Sequence, residues 1–595
     1  MRRTWLLITV QILCLLARSL AREPTTAVVV VEGLTWQQLE QGEAGALYVL
    51  ARHGTVGLMS VGAGGDTAFR FALTLQTGRR LALSREATPD ALRKRYAHLR
   101  WLTDALARAG VRVTVYCRPP QEHLQALLAQ PNAPAMPAAQ VQIWWLRADP
   151  STINQGVEQA IGSLNPERDR VLILGLPPSG ERVAPVITAG GGLSPGVLTS
   201  ATTRTPGLVS DMDIAPTLLE WHGVRPRVGE QTLRILQAQD AFSFVQQVAR
   251  VCQWNMRGLL LIGALQVGGG LLAVFAGLGT IHRRSTSRRM RLLLSVAIGA
   301  LLSLPAGTLL APYLPAGAFW QYVGAIVLLA VWLSLLAHWG VWDEPFRAYL
   351  RACALSVLVI LADGVSGQHG VRFSMYSAYA LSGIRFYGIG NEMMGVLVGC
   401  ALAWGLYARS VIVRAPLWIV VAIVLALPSW GANLGGWLTC ATGLGVAWET
   451  TRAQGKPLLV RGGLWLMVGL LGAIGVMWLD SLGALPSHMG TAWLRWRADG
   501  RQAVVDTLSS KLALAVHVLT SPFAWEVLGA IALALWAMRR LGNGWHSEYT
   551  AWLACLLSAF VFNDSGFVPA SAILGVGMGA LLTRRLQEVY HGASE

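Results

Sequence analysis

The stretch MRGLLLIGALQVGGGLLAVFAGLGT, residues 256–280, decides the architecture of this chain of 595 residues. It carries one charged side chain, Arg257, and is long enough to cross a bilayer as a single helix. Comparable apolar segments follow it, so residues 251–595 are predicted to form an all-α polytopic membrane domain of about eleven helices. These spans are predicted near residues 256–280, 291–312, 318–339, 350–364, 391–410, 416–430, 434–450, 462–480, 522–538, 549–562 and 566–583.

The composition of the chain supports a membrane protein and argues against a nucleic-acid-binding protein. Hydrophobic residues make up 53% of the chain and charged residues 13%, and the mean hydropathy is +0.47. Much of the net charge of +16 lies in short clusters between apolar runs, such as HRRSTSRRMR at residues 282–291. Such clusters are typical of cytoplasmic loops. We therefore expect an integral plasma-membrane protein without a nucleic-acid partner.

The first 21 residues resemble a secretory signal. Arg2 and Arg3 precede an apolar core, and small residues follow at Ser19 and Ala21. The segment 1–21 is therefore predicted to be a signal peptide or an N-terminal anchor, and the sequence leaves open whether it is cleaved. Either way, residues 22–250 should lie outside the cytoplasm, and counting spans from there puts the C-terminus in the cytoplasm.

Residues 22–250 alternate short apolar runs with amphipathic segments. TAVVVVEG, VRVTVYC, AQVQIWWLRAD and DRVLILGLP are typical of strands, whereas TWQQLEQGEAGALYVLARHG and NQGVEQAIGSL are typical of helices. Strands separated by helices predict a layered α/β domain with a largely parallel sheet.

The predicted orientation places four polar segments on the outer face of the membrane domain. They are residues 370–392, 431–437, 485–511 and 562–566. Polar and ionisable groups beside a bilayer are costly and usually mark a pathway or a site, although an arginine–glutamate pair in a turn would explain some of them structurally. The candidate catalytic residues are Arg385, Glu392, His488 and Asp564, and the candidate substrate-binding residues are Asn391, Arg497 and Arg501.

The chemistry of these side chains favours an anionic, possibly lipid-linked substrate. Arginine forms paired hydrogen bonds with phosphate oxygens, and a histidine or carboxylate can deprotonate a hydroxyl group. Alternatives stay open: the FNDSG segment could cap the following span, and the residue 485–511 loop could contact lipid headgroups alone.

The domain over residues 22–250 resembles the alkaline phosphatase superfamily. The resemblance is carried by VVVVEG, LARHGTVGLMS, GDTAFRFALTLQTGRR and LVSDMDIAPTLLEWHGV. It implies an alkaline-phosphatase-like sandwich, with Glu32 in the place of the first metal-binding aspartate and Thr67 in the place of the nucleophile.

The same resemblance implies an Asp-His pair after a later strand, where Gly175, Leu176 and Pro177 stand instead. None of these three side chains can bind a metal ion. We therefore predict a degenerate site that holds no metal or other cofactor, in which Thr67 serves for substrate binding. The alternative is an active, metal-dependent phosphatase tethered to the membrane.

RFYGIGNEMMG, residues 385–395, is similar to a motif of bacterial O-antigen ligases and polymerases, although Glu392 replaces the proline expected there. The resemblance implies a site for an undecaprenyl-linked glycan on the outer face, with arginines on the pyrophosphate and His488 in a large outer loop. The sequence does not separate such a transferase from a transporter or flippase.

Overall fold

The computed structural model describes residues 24–43, 45–62, 67–81, 88–131, 139–149, 153–227, 229–282, 287–380, 385–407, 411–450, 458–483, 486–501 and 546–591, with single positions at 516, 520, 529 and 532. The chain divides into two compact units. The described residues up to Arg250, together with Arg385 and Phe386, form the first unit, here called the N-terminal domain. The remaining described residues form the second, here called the helical unit.

A mixed sheet of nine strands forms the centre of the N-terminal domain. The strands are β1 (Thr25–Glu32), β2 (Thr55–Ser60), β3 (Val111–Arg118), β4 (Ala139–Arg147), β5 (Arg170–Leu176), β6 (Val183–Gly190), β7 (Gly196–Ser200), β8 (Leu208–Ser210) and β9 (Leu233–Leu236). Their order is β3-β4-β1-β5-β6-β2-β7-β9, and β8 pairs with β2.

The prediction of a largely parallel sheet is confirmed for most strand pairs, although the sheet as a whole is mixed. β2 runs parallel to β7 and β8. β1 runs parallel to β4 and β5, and β3 runs parallel to β4. β6, however, is antiparallel to both β5 and β2, and β9 is antiparallel to β7. Only residues 177–182 separate β5 from β6, and so short a connection reverses the chain, because a parallel crossover needs a dozen residues or more.

Helices cover the sheet on both faces. They are α1 (Trp36–Glu40), α2 (Gly45–His53), α3 (Thr67–Thr77), α4 (Pro89–Arg95), α5 (Leu102–Arg108), α6 (Glu122–Leu128), α7 (Ile153–Ile161) and α8 (Ile214–Trp221). Val28 and Val30 of β1 share a core with α3, α5, α6 and α8, whereas α7 contacts β1 and α2 contacts β6. Because alternate residues of a strand point to opposite faces, the fully buried run Ala27–Val31 requires cover on both sides.

The helical unit contains the remaining described helices. They are α9 (Ala241–His282), which begins in the N-terminal domain, α10 (Arg288–Leu310), α11 (Phe319–His338), α12 (Pro345–Val365), α13 (His369–Phe373), α14 (Asn391–Tyr407), α15 (Val411–Ala426), α16 (Leu434–Thr439), α17 (Gly445–Thr450), α18 (Leu458–Ser481), α19 (His488–Asp499), α20 (His546–Phe562) and α21 (Phe567–His591). α14 packs against α12 and α21, and these helices share one apolar core with α10 and α20.

Six of the described helices are long and apolar enough to cross a membrane, so the count of eleven is not confirmed. They are Ala241–His282, Arg288–Tyr313, Phe319–His338, Pro345–Val365, Val460–Ser481 and Phe567–Val589. The span predicted at 434–450 is helical throughout, and it contains a π-helical segment, Cys440–Leu444, between α16 and α17. The span predicted at 522–538 lies outside the described residues except at positions 529 and 532.

The two ends of the helical unit differ in chemistry. One end, the basic end, holds the starts of α10 and α12 and the final turns of α21, where Arg288 pairs with Asp343 at 2.7 Å and Arg585 pairs with Glu588 at 2.6 Å. The other end, the polar end, is formed by the ends of α12, α15, α18 and α20 and by the starts of α14, α16, α19 and α21. Its contacts include hydrogen bonds of the amide side chains Gln368 and Asn433 and of the carboxylates Asp363 and Asp480.

Candidate functional site

His488 and Tyr387 bring two distant segments together at the polar end. The Tyr387 hydroxyl lies 3.2 Å from Nδ1 of His488 and accepts a hydrogen bond from the His488 backbone N–H at 3.2 Å. Tyr387 is buried, whereas His488 is exposed at the first turn of α19. The contact orients the imidazole through Nδ1.

Asp480 holds the start of α19 in place. Its carboxylate accepts hydrogen bonds from the Ser487 hydroxyl at 2.5 Å and from the backbone N–H of Gly490 at 2.6 Å. A carboxylate at a helix N-terminus satisfies free N–H groups and interacts favourably with the helix dipole. Asp480 therefore positions His488, a role that the sequence analysis did not assign to it.

Asn433 joins the segments on either side of the polar end. Its Nδ2 donates to the Ile389 carbonyl at 2.8 Å and lies 3.5 Å from Oδ1 of Asn391, while its Oδ1 accepts from the Gly436 N–H at 2.8 Å. Asn433 thus caps α16 and also connects it to the chain leading into α14. Its side chain is almost fully buried.

Asn391 extends this network to the turn between α20 and α21. Its Nδ2 donates to the Ser565 hydroxyl at 2.9 Å. In the same turn, Asn563 donates to the Thr439 hydroxyl at 3.2 Å. Residues from the predicted polar segments 370–392, 431–437 and 562–566 therefore meet at one end of the unit.

The backbone at this end is held in unusual conformations. Gln368 has φ +63° and Ala432 has φ +46°, both in the left-handed region that side chains other than glycine rarely adopt. Gln368 donates to the Ser429 carbonyl at 2.7 Å and accepts from the Gly388 N–H at 2.8 Å. Such strain persists where the surrounding structure enforces it, which occurs most often at functional sites.

The other predicted site residues of the membrane domain lie on several different elements. Glu392 is partly buried in the first turn of α14, and Asp564 is exposed in the α20–α21 turn. Arg497 and Arg501 are exposed at and beyond the last turn of α19. Arg385 is partly buried and groups with the N-terminal domain, so a common site for Arg385 and Glu392 stays a prediction.

In the N-terminal domain, Glu32 ends β1 and contacts other protein groups. Its carboxylate accepts hydrogen bonds from Nε1 of Trp145 at 2.5 Å and from Nε2 of Gln121 at 3.2 Å, and Arg147 lies 3.8 Å away. Trp145 is fully buried. Protein groups therefore satisfy the Glu32 carboxylate by hydrogen bonds and charge.

Asp211 lies just after β8 and is neutralised by an arginine. Arg80 binds its carboxylate at 2.6 Å and also donates to the Ser60 carbonyl at 2.9 Å. The Gly62 N–H donates to the same carboxylate at 3.2 Å. Asp211 therefore ties the end of β2 to the segment after α3, which is itself the helix that begins at Thr67.

The loop before Asp211 directs its hydroxyl groups inward. Thr202 donates to Asp213, and Thr205 donates to the Thr203 carbonyl at 3.0 Å. Burial raises the pKa of Asp213 to about 6, although hydrogen bonds from Thr202 and Ser210 oppose the shift. These internal contacts account for the hydroxyl groups of the loop.

The residues present do not fit the two-metal site that the phosphatase resemblance implies. Asp211 is bound by Arg80, and Leu176 ends β5 where that resemblance calls for metal-binding side chains. Within the described ranges, no three His, Cys, Asp or Glu side chains are grouped so that they could hold a metal ion.

Comparisons of the chain with protein-family models, curated proteins and solved structures found no match. Both resemblances therefore stay predictions that depend on the quoted motifs alone.

Proposed function

We propose that the helical unit crosses the plasma membrane and that its polar end binds an anionic, lipid-linked envelope substrate on the outer side. The meeting of sequence-distant polar segments through Tyr387–His488 and Asn433–Asn391–Ser565 carries this proposal. The arginines at the basic end support the orientation, because basic residues mark the cytoplasmic ends of spans. The N-terminal domain would then lie outside the cytoplasm and help to bind the substrate without hydrolysing it.

Each group at the polar end has a distinct role in this proposal. Asn391 offers an amide to the polar headgroup, and Arg497 and Arg501 attract its phosphate groups. His488, oriented by Tyr387, exchanges a proton with a sugar hydroxyl through Nε2. Glu392 and Asp564 are further candidates for proton transfer, as the sequence analysis predicts. Together these groups favour the transfer of a glycan between carriers.

Transport of the same substrate is the second candidate function, and one feature favours it. The helix capped by Asn433 contains the π-helical segment Cys440–Leu444. π-Helical segments inside α-helices occur frequently at functional sites. A metal-dependent phosphatase is less well supported, because Arg80 already neutralises Asp211.

Binding and turnover by the full chain in lipid nanodiscs test this proposal. A fluorescent undecaprenyl-diphosphate-linked sugar should bind to the wild type, and His488→Ala should lower turnover much more than His282→Ala. His282 is a matched control, since it is exposed at the other end of the unit, where α9 finishes. Product formation indicates a transferase, and appearance of the lipid in the opposite leaflet indicates a flippase. Failure of the wild type to bind the lipid would overturn the proposal.

A further inference from the structure

A cleft of about 650 Å³ in the N-terminal domain is rich in arginine. It lies between α4, the turn that follows α4, α5 and Arg227. Its described lining includes four arginines and one carboxylate, that of Asp104. The residues that define this arginine cleft are Arg93, His98, Arg100, Trp101, Arg108 and Arg227.

Two of the arginines form ion pairs with carboxylates of the domain. Arg93 pairs with Asp104 at 3.3 Å and lies over the Trp101 ring, with its guanidinium carbon 4.5 Å from the ring centre. Arg100 donates to the Arg225 carbonyl at 3.1 Å and lies 3.6 Å from Glu230. Such contacts fix the direction of both guanidinium groups and so prepare a binding surface.

Arg108 and Arg227 add positive charge that these carboxylates do not balance. Both side chains are exposed, and the positive charge of each disfavours the charged form of Arg100. Burial is the main cause that lowers the pKa of Arg100, Glu230 opposes it, and the charges of Arg227 and Arg108 lower it further. The guanidinium groups of Arg227 and Arg108 therefore both repel that of Arg100, and an anion in the cleft would relieve that repulsion.

We propose that the arginine cleft is a binding site for a phosphate-bearing ligand. The planar guanidinium fork matches two phosphate oxygens, and the cleft has the volume of a typical small-molecule site. A free phosphorylated compound and a lipid phosphate headgroup share this chemistry. The site does not depend on the function proposed for the polar end, because none of its residues belongs to the helical unit.

Pyrophosphate binding by the full chain in nanodiscs tests this site. We expect saturable binding by the wild type in isothermal titration calorimetry, and a loss of affinity of about tenfold or more in Arg108→Gln/Arg227→Gln, since two charge-assisted contacts are removed. Arg234→Gln is the matched control, because Arg234 is also an exposed arginine of this domain, on β9. It removes the same charge and should leave the affinity unchanged. Thermal unfolding of each variant checks that the fold is retained.

Two nanodisc compositions separate the sources of the phosphate group. If pyrophosphate binds equally in phosphatidylcholine nanodiscs and in nanodiscs that also contain phosphatidic acid, the cleft takes a free phosphorylated ligand. If phosphatidic acid abolishes pyrophosphate binding to the wild type, the cleft takes the lipid headgroup. Absence of binding in phosphatidylcholine nanodiscs, or equal losses in the double variant and Arg234→Gln, would overturn the proposal.

Discussion

In the N-terminal domain a buried carboxylate meets a guanidinium group, whereas the buried amide side chains Asn433 and Gln368 at the polar end of the helical unit contact uncharged groups. Asp211 is 1% exposed and bound to Arg80, and the loop before it directs its hydroxyls inward. At the polar end, Asn433 and Gln368 are buried, yet His488 and Asp564 beside them are exposed. A ligand at the first cluster would have to displace an internal ion pair, whereas a ligand at the second would meet groups that already face solvent.

This difference separates a structural cluster from a candidate binding site. A buried ion pair is compatible with a stable fold only while both partners are present. An exposed histidine on a rigid support contributes little to the fold and is available to a ligand. Substitutions in the two regions should therefore affect different measurements, and the following predictions use that contrast.

The largest loss of stability is expected for Arg80→Met. This change leaves the Asp211 carboxylate buried without its cation, which typically costs about 3–5 kcal/mol in the free energy of unfolding. The melting temperature of the full chain in detergent measures the effect.

The double variant Arg80→Met/Asp211→Asn is the control for this prediction, because it removes both charges together. We expect it to recover most of the lost stability. If the single and double variants are equally destabilised, the ion pair is not the reason that the cluster is stable.

A smaller loss is expected for Asn433→Ala at the polar end. The substitution removes the cap of α16 and the hydrogen bond to the Ile389 carbonyl. Together these losses should cost about 2 to 3 kcal/mol in the free energy of unfolding. Asn433→Ser retains a good capping residue and should recover about 1 kcal/mol of that loss. Equal melting temperatures for the two variants would show that the cap does not contribute.

The third prediction concerns how the stability of the N-terminal domain depends on pH through the buried Asp213. Burial raises the pKa of Asp213 to about 6, while an unfolded chain has a value of about 3.9. The folded state therefore binds this proton more tightly, and the resulting stability is present below pH ~4 and lost as the pH rises through 6. Asp213→Asn removes this dependence. Its free energy of unfolding relative to wild type should rise between pH 4 and 6 by an amount on the order of 2 kcal/mol, and its melting temperature should rise with it.

His222 provides an opposing slope in the same pH range. Burial, with a smaller contribution from Arg170, lowers the pKa of His222 to about 4, against about 6.5 in an unfolded chain. Stability from neutral His222 is present above pH ~6.5 and lost as the pH falls through 4. The two groups partly cancel in the wild type, so Asp213→Asn should show a steeper loss in acid. A relative melting temperature that does not change with pH would rule out the raised pKa.

Four strands of the N-terminal domain, β1, β3, β4 and β5, could be predicted from the sequence, but the other strands and the sheet order could not. The apolar runs around Val28 and Leu172 correctly predict β1 and β5, because a strand buried on both faces has a continuous apolar sequence. The direction of β6 depends on the length of the connection at residues 177–182, and a search for apolar runs does not take connection length into account. A turn with Gly180 at φ +95° was the signal for reversal.

The polar end could be predicted in its location but not in its contacts. Counting charged loops places Asn391, Asn433 and Ser565 on one face. Their pairing depends on tertiary packing, since Asn391 and Ser565 are far apart in the sequence. The π-helical segment was not predicted for another reason. Hydropathy measures length and polarity, whereas a π-helical segment is defined by its backbone hydrogen bonds; here Gly443 also lies close to Cys555.

The smallest effect on stability is expected for His488→Ala, and it is the most informative change. His488 is exposed, so its removal should change the free energy of unfolding by no more than about 0.5 kcal/mol. Tyr387→Phe removes the hydroxyl that orients the imidazole and should lower turnover of the lipid-linked substrate while melting close to wild type. If both variants instead melt well below wild type, the Tyr387–His488 contact has the same structural role as Arg80–Asp211. If they retain the wild-type melting temperature and lose turnover together, the polar end is the site of the chemistry.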